Sequence, residues 1–214
     1  MSNKKILILS SYDTKYKNIG LGQLSDIKNK EYADKHDYSY ECRCEDSSIH
    51  YFFYKFHLVK EKLPLYDYIL WIDSDAFIVN HSKTIQDFIS DDPSKIITLV
   101  IDQENINTGV FIIKNHPVSF EILNSVITYG PTMNHPLPDA FVLRNIFDNN
   151  PHIVNYITPQ KLLNAYKYEL YRDRMPPNPD GEFEEGLSFI LHFPGMPLQT
   201  RVDAYNHFNV KEMR

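Results

Sequence analysis

Short aliphatic runs bounded by polar residues recur along the chain, and apolar residues between them fall at helical spacing. Runs of this kind are typical of strands that are buried on both faces of a sheet. The predicted strands are residues 5–9, 38–42, 68–72, 76–79, 96–101, 109–113 and 154–157. The predicted helices are residues 22–37, 52–63, 118–129 and 139–147. Strand and helix alternate up to residue 150, which predicts an α/β fold with a mostly parallel central sheet flanked by helices.

The helix predicted over residues 22–37 carries many charged residues, so we expect most of its surface to face solvent. Its residues Leu24, Ile27, Tyr32 and Ala33 are expected to face the core. Beyond residue 150 the pattern becomes irregular. Residues 175–181 are predicted to form a loop, and the apolar run 189–191 leads into a histidine.

The length of 214 residues fits a single domain over residues 1–214, which could also be cut from a longer chain. The formal charge of −6 and the lack of a basic cluster argue against nucleic acid as a partner. The aliphatic runs are far shorter than the roughly 20 residues that span a bilayer, so no membrane span is predicted. Cys42 and Cys44 are separated by one residue, and a disulfide between them would close a small, strained loop. We therefore expect reduced thiols and a cytoplasmic location.

An acidic pair, Asp73 and Asp75, directly follows the predicted strand 68–72. An Asp-x-Asp triplet is expected about once by chance in such a chain, so its position matters more than its presence. Open α/β sheets bind ligands at the carboxyl ends of their strands, where this pair lies. Two neighbouring carboxylates repel each other unless a cation lies between them, and oxygen ligands suit Mg²⁺ or Mn²⁺. The pair therefore indicates a divalent metal site, with two solvated acids in a turn as the alternative.

Four segments, taken in order, carry a resemblance to a known family. They are residues 28–38, 71–78 (WIDSDAFI), 107–115 (NTGVFIIKN) and 192–195 (HFPG). Together they resemble glycosyltransferases of the GT-A fold, especially the family 34 galactosyl-, mannosyl- and xylosyltransferases of fungi and plants. The compact form also resembles the N-terminal glycosyltransferase domain of a larger algal-virus protein. The match runs from about residue 5 to 200, which is nearly the whole chain.

The resemblance implies a retaining, Mn²⁺-dependent transferase, with Mg²⁺ as the alternative ion. The donor would be a UDP-sugar carrying a hexose such as glucose or galactose, or else xylose or rhamnose. The acceptor would be a hydroxyl group of a glycan or glycoprotein. Asp73, Asp75 and His192 would bind the metal, and Asp75 and Asp139 would serve catalysis. The residues expected to bind the donor are Ser10, Ser11, Tyr12, Asp13, Lys55, Asp73, Ser74, Asn107, Thr108, Gly109 and Gly195.

Two departures from the family pattern leave questions open. Pro138 stands where the family has an amide, so Asp139 is either a group beside the sugar or the N-cap of a helix. The basic residue that follows the family's HFxG segment is missing, and either Arg201 or Lys114 is expected to supply its charge. The sequence shows no obvious nucleophile. This favours a front-face reaction, in which the acceptor hydroxyl attacks from the side that the diphosphate leaves.

Two other functions are compatible with the sequence. A module that binds a nucleotide sugar or a glycan without turnover would carry the same acidic pair, and the departure at Pro138 favours it. A phosphohydrolase of the haloacid dehalogenase type also has an Asp-x-Asp pair after a strand. In that class, however, the pair follows the first strand and precedes a threonine, whereas here it follows the third predicted strand and precedes Ala76.

Overall fold

The computed structural model describes residues 4–103, 105–171 and 176–212. The strands within these ranges are β1 (Ile6–Tyr12), β2 (Ser39–Cys44), β3 (Tyr68–Ile72), β4 (Ala76–Ile78), β5 (Ile97–Leu99), β6 (Val110–Lys114), β7 (Val154–Tyr156), β8 (Asn164–Tyr166) and β9 (Ile190–His192). The α-helices are α1 (Thr14–Asn18), α2 (Leu21–Lys35), α3 (Tyr51–Lys62), α4 (Pro117–Tyr129), α5 (Pro138–Asn149) and α6 (Leu198–Glu212). Short 3₁₀ turns lie at Leu63–Leu65, Ile85–Phe88, Gly130–Thr132, Pro151–Ile153, Gln160–Leu162 and Tyr168–Tyr171.

The central sheet has six strands in the order β2-β1-β3-β6-β5-β7. β1 runs parallel to β2 and β3, and β5 runs parallel to β7, whereas β6 is antiparallel to both of its neighbours. Most strand pairs are therefore parallel, which confirms the predicted α/β fold. Because β1 and β3 are parallel neighbours, their carboxyl ends meet at one edge of the sheet.

A second sheet has three strands in the order β4-β9-β8. β9 pairs antiparallel with β4 and parallel with β8. Ile78 and Ile190 of this sheet are buried in one cluster with Ile8 and Leu70 of the central sheet and Tyr32 of α2. The second sheet and α2 therefore cover one face of the central sheet.

Helices α3, α4 and α5 cover the opposite face. Phe56, Ile122 and Leu143 of these helices pack in one buried cluster with Leu7 and Trp71 of the central sheet. Alternate residues of β1 thus pack in the two clusters on opposite faces of the sheet, because successive side chains of a strand point to opposite faces. This two-sided burial explains why β1 is an uninterrupted aliphatic run.

The last helix, α6, packs on the second sheet. Tyr205 of α6 is buried with Phe77, Phe193 and Leu21, and the Phe77 and Tyr205 ring centroids are 4.4 Å apart. The sequence analysis predicted neither α6 nor the short elements α1 and β8. Residues 176–181 form part of the predicted loop, whereas residue 175 lies outside the described residues.

The buried face of α2 differs from the prediction. Leu24 packs at the edge of a core, but Ile27 is 56% exposed, and the polar residues Ser25 and Asn29 are buried instead. The Ser25 hydroxyl donates to the carbonyl of Ser74 at 2.7 Å, and the Asn29 amide bonds to the backbone of β4. The prediction was right for Tyr32 and Ala33, which are fully buried, and wrong for Ile27. Side-chain hydrogen bonds of Ser25 and Asn29 add to the apolar contacts that attach this helix to the chain after β3.

Two predictions about the whole chain can be compared with the structure. Every helix in the described ranges is too short or too polar to cross a lipid bilayer. Cys42 and Cys44 are both free thiols. The single domain and the cytoplasmic location stay predictions.

Candidate metal centre and active site

The acidic turn, residues 73–75, joins β3 to β4 at the carboxyl edge of the central sheet. The backbone N–H of Asp73 donates to the carbonyl of Gly109 at 2.8 Å, and the N–H of Ala76 donates to the carbonyl of Asp73 at 3.0 Å. Ser74 is buried, and its carbonyl accepts the bond from Ser25 of α2. The backbone of the turn is thus held from Gly109, just before β6, and from Ser25 of α2.

His192 reaches the acidic turn through the second sheet. It is the last residue of β9 and lies opposite Ala76 in antiparallel register. The N–H of Phe193 donates to the carbonyl of Asp75 at 3.1 Å. This pairing places Nε2 of His192 3.4 Å from Oδ1 of Asp75. One side-chain ligand atom from each of Asp73, Asp75 and His192 lies within 4.8 Å of the others.

The chemistry of this cluster fits a divalent cation. Carboxylates suit Mg²⁺ and Mn²⁺, and imidazole is an additional ligand for transition metals. Gly109 provides space at the cluster, because a Cβ there would collide with the His192 ring and come within 2.9 Å of Oδ2 of Asp73. The fold therefore brings the three predicted metal ligands together, and their role as ligands stays a prediction.

The two acids of the turn differ electrostatically. Burial raises the pKa of Asp73 above its ordinary value; the neighbouring Asp75 acts in the same direction, and Lys55 acts against it. Burial alone would also raise the pKa of Asp75, but the charges of His192 and Arg201 hold this pKa below its ordinary value. The surroundings therefore favour the ionised form of Asp75, and additional positive charge would favour the ionised form of Asp73.

Arg201 of α6 lies at the acidic turn. Its Nη1 is 2.7 Å from Oδ2 of Asp75, and its Nε donates to the carbonyl of Met196 at 2.8 Å. The guanidinium also donates to the Tyr16 hydroxyl. Lys114 lies at the other end of the sheet, opposite Tyr68 at the start of β3. Of the two basic candidates, the structure thus places Arg201 at the site.

A buried group of charges lies behind the turn. Nζ of Lys55, on α3, is 3.7 Å from Oδ1 of Asp73 and 3.7 Å from Oδ2 of Asp139. It donates to the carbonyl and hydroxyl oxygens of Thr108 at 3.0 and 3.1 Å, and that hydroxyl donates to Asp139 at 2.6 Å. The second oxygen of Asp139 is buried and has no hydrogen-bond partner among the described residues. Since such an orphaned acceptor is costly, it is a candidate contact for a ligand.

The open question about Asp139 is answered by the start of α5. The helix begins at Pro138, and its N-cap is Leu137. Proline fits the first helical position because the missing N–H would have no partner within the helix. The N-cap alternative for Asp139 is therefore wrong: its carboxylate bonds to Thr108 and faces Lys55.

At the end of β1, the residues predicted to bind the donor differ in burial and in their contacts. Ser10 is buried, and Ser11 is half-buried. The ring of Tyr12 lies against Gly22, and Asp13 accepts a hydrogen bond from the N–H of Tyr16 at 2.9 Å, which caps α1. This segment adjoins the acidic turn through the contact between Tyr16 and the arginine of α6.

The remaining candidate, Gly195, lies between β9 and α6. Its φ of 69° is in the left-handed region, which favours glycine. This conformation reverses the chain after His192 and allows α6 to return to the acidic turn.

Residues of β8 that the sequence analysis missed also reach the site. Oδ1 of Asn107 accepts bonds from the N–H of Gly109 and the amide of Asn164, both at 2.9 Å. Nδ2 of Asn107 donates to the Tyr166 hydroxyl at 2.5 Å and to Asp102 at 3.2 Å. Because β8 has only three residues, its aliphatic pattern is too short to have predicted it.

A cavity of about 380 Å³ opens at the carboxyl ends of β5 and β7. The Tyr166 hydroxyl donates to Asp102 in its wall at 2.6 Å, and the Tyr166 ring centroid is 5.7 Å from that of His192. Tyr166 thus contacts both the wall of the cavity and the ring of His192. The lining contains no lysine or arginine from the described part of the chain and consists of Ile101, Asp102, Gln103, Tyr156, Ile157, Thr158, Pro159, Gln160, Asn178 and Asp180.

Solved structures identify the fold. A glycosyltransferase involved in the glycosylation of the major capsid of PBCV-1 matches with a TM-score of 0.72 and 19% identity, over 95% of this chain and 99% of that one. Mouse xyloside xylosyltransferase 1 matches with a TM-score of 0.55 and 11% identity, over 90% of this chain and 99% of that one. The bifunctional glycosyltransferase WbbM matches with a TM-score of 0.62 and 11% identity, over 95% of this chain and 50% of that one. The chain therefore has the GT-A glycosyltransferase fold.

Within this fold class, the chain belongs to the family described as "Protein of unknown function, DUF273", whose model matches residues 23–149. No curated protein matches the chain. The resemblance to GT-A glycosyltransferases is confirmed by the fold, whereas the likeness to family 34 stays a prediction.

Proposed function

We propose that the protein is a metal-dependent, retaining glycosyltransferase. The donor is a UDP-sugar that carries a hexose such as glucose or galactose, or else xylose or rhamnose. The acceptor is a hydroxyl group of a glycan or glycoprotein. The observation that carries the proposal is the convergence of Asp73, Asp75 and His192 at the carboxyl edge of a GT-A sheet.

The metal ligands in this proposal are Asp73, Asp75 and His192, and the ion is Mn²⁺, with Mg²⁺ as the alternative. Such an ion, when bound, neutralises the diphosphate and acts as a Lewis acid on the leaving phosphate. Arg201 supplies further positive charge, because its guanidinium beside Asp75 has N–H donors in a geometry that matches phosphate oxygens. In a chain of charge −6, these local cations are what an anionic donor requires.

The donor is proposed to lie across the carboxyl ends of β1 and β3. The segment Ser10, Ser11, Tyr12 and Asp13 borders the uracil and the ribose, and the Gly195 loop covers the diphosphate. The sugar lies against Ser74 and the segment Asn107, Thr108 and Gly109. The glycine supports this placement, because the backbone there already approaches two candidate ligands closely.

Asp139 is proposed to act at the sugar. Its orphaned oxygen accepts a bond from a sugar hydroxyl or faces the positive charge that develops at the anomeric carbon. Lys55 and Thr108 hold the other oxygen in place, so the carboxylate is oriented before the donor arrives. The leaving phosphate takes the proton of the acceptor hydroxyl in a front-face reaction.

The acceptor is proposed to enter the cavity beside Asp102. Carboxylate and amide groups in its lining bond to hydroxyl groups, and the half-exposed ring of Tyr156 offers an apolar face to a sugar. Since the described lining includes carboxylates and no basic side chain, the cavity favours an uncharged or positively charged acceptor over an anionic one.

A calorimetric titration with UDP tests the proposal. We expect binding in the presence of Mn²⁺ and its loss in EDTA. At 100 times the dissociation constant, UDP should also add about 2.7 kcal/mol to the free energy of unfolding. Asp75→Ala should abolish this binding, whereas Asp148→Ala, at an exposed ion pair of α5, should leave it intact. UDP binding that is unchanged in Asp75→Ala would refute the metal assignment.

Turnover separates an enzyme from a binding module. We expect one member of a panel of UDP-sugars to release UDP slowly in water and faster with a saccharide acceptor. Metal-dependent binding of UDP without turnover of any donor would favour the module that binds nucleotide sugars. No binding of UDP or GDP, with or without metal, would overturn both functions.

A further inference from the structure

A network of side-chain amides leads from the backbone of Gly109, just before β6, to His192. The N–H of Gly109 donates to Oδ1 of Asn107, and Nδ2 of Asn164 donates to the same oxygen. Oδ1 of Asn164 lies 3.1 Å from Nδ1 of His192. Nε2 on the other side of the ring faces Asp75. Asn164 is fully buried, so it has no alternative partner in solvent.

The first hydrogen bond of this network, from the N–H of Gly109, determines which group is donor and which is acceptor in each of the others. A backbone N–H can only donate, so the group of Asn107 that faces Gly109 must be its oxygen. The carboxylate of Asp102 can only accept when ionised, which independently places Nδ2 of Asn107 on the opposite side. Asn164 must then turn its NH₂ group toward Asn107 and its oxygen toward His192. An oxygen at that position requires an N–H at Nδ1 of the imidazole.

We infer that Asn164 is a positioning residue that keeps the proton of neutral His192 on Nδ1 and the lone pair on Nε2, toward Asp73 and Asp75. An imidazole that is fixed in this way is ready to bind a metal ion through Nε2. The inference deepens the proposed function, because it assigns a second layer of support to the proposed metal site. It concerns the metal-free protein as well, and it can be tested there.

Nitrogen-15 NMR of the metal-free protein reports the tautomer directly. In the wild type with a neutral ring, we expect the Nδ1–H form. In Asn164→Leu, which has a similar volume and no acceptor, we expect the proton to move to Nε2, where it can donate to Asp75. In Asn164→Asp, which keeps an acceptor, the Nδ1–H form should return. A wild-type ring protonated on Nε2 would overturn the inference, whether or not the variants fold.

Metal affinity is the second measurement, made with Mn²⁺ alone by calorimetry. We expect Asn164→Leu to weaken Mn²⁺ binding by about 10- to 100-fold, the usual cost of losing such a supporting bond. The matched control is Asn155→Leu, because Asn155 on β7 also bonds to a backbone carbonyl and to a threonine, away from the cluster. Equal losses of Mn²⁺ affinity in both variants would overturn the inference, since they would show a general effect on packing.

The two proposals fail in different ways. A protein with the Nδ1–H tautomer and an Asn164-dependent Mn²⁺ site that binds no nucleotide would refute the proposed transferase and support the inference. A protein that binds UDP with Mn²⁺ to the same extent in the wild type and in Asn164→Leu would refute the inference and support the transferase.

Discussion

The ammonium nitrogen of Lys55 lies 3.7 Å from the carboxylate of Asp139, and both residues are at most 5% exposed. The same nitrogen is 3.7 Å from Asp73. One buried cation thus compensates two acids, one of which belongs to the proposed metal site. Its removal would affect stability and the site together.

Lys55→Met is expected to lower the free energy of unfolding by about 3–5 kcal/mol, because it leaves a buried carboxylate without its counter-charge. Urea unfolding measures this loss. Lys30→Met, which breaks an exposed pair with Asp34, should cost less than about 1 kcal/mol. The double variant Lys55→Met/Asp139→Leu should be more stable than Lys55→Met alone. If the double variant loses as much free energy of unfolding as the two single variants together, or more, the interaction between Lys55 and Asp139 is contradicted.

Gly109→Ala is expected to weaken Mn²⁺ binding by at least about tenfold, because the new methyl group pushes the His192 ring away from the acidic pair. Gly130→Ala is a matched control: its methyl group would collide with Phe53, which packs in the hydrophobic cluster of α3, α4 and α5 and is not one of the proposed ligands. Both variants should lose about 1–3 kcal/mol of stability. Only the first should lose metal affinity, and a loss in both would show that overpacking alone disturbs the site.

Arg201→Gln is expected to weaken UDP binding in the presence of Mn²⁺ by about 10- to 100-fold, the usual effect of losing a hydrogen bond to a charged group. Uridine, which lacks the diphosphate, should bind equally to both proteins. Arg144→Gln, which breaks an exposed pair on α5, serves as the control. If the affinity for uridine falls as much as that for UDP, Arg201 supports the pocket rather than the diphosphate.

Cys42 and Cys44 are expected to differ in alkylation at pH 8. Burial and the nearby charge of Asp26 raise the pKa of Cys42 to about 12, so its thiol stays protonated and unreactive at this pH. Cys44 is exposed at the end of β2. Mass spectrometry should therefore find iodoacetamide on Cys44 first, and on both residues after unfolding in urea. Equal rates in the folded protein would contradict the burial of Cys42.

Much of the central sheet could be predicted from the sequence, because two-sided burial makes each strand a visible aliphatic run. The acidic turn and its place after β3 were predicted for the same reason. The buried face of α2 was predicted only in part, since Ser25 and Asn29 look like surface residues until their bonds to the chain after β3 are known. Arg201 was one of two basic candidates, and only the folded chain distinguishes it from Lys114. Asn164 lies on a strand without a clear hydrophobic pattern, so only the folded chain shows that it reaches the site.

The pairing of Ala76 with His192 joins two segments that are synthesised at different times. The ribosome makes the acidic turn early, but the histidine and the strand that carries it emerge more than a hundred residues later. A nascent chain of 150 residues would hold most of the central sheet and only two of the three proposed ligands. The proposed metal site would therefore be complete only when β9 pairs with β4.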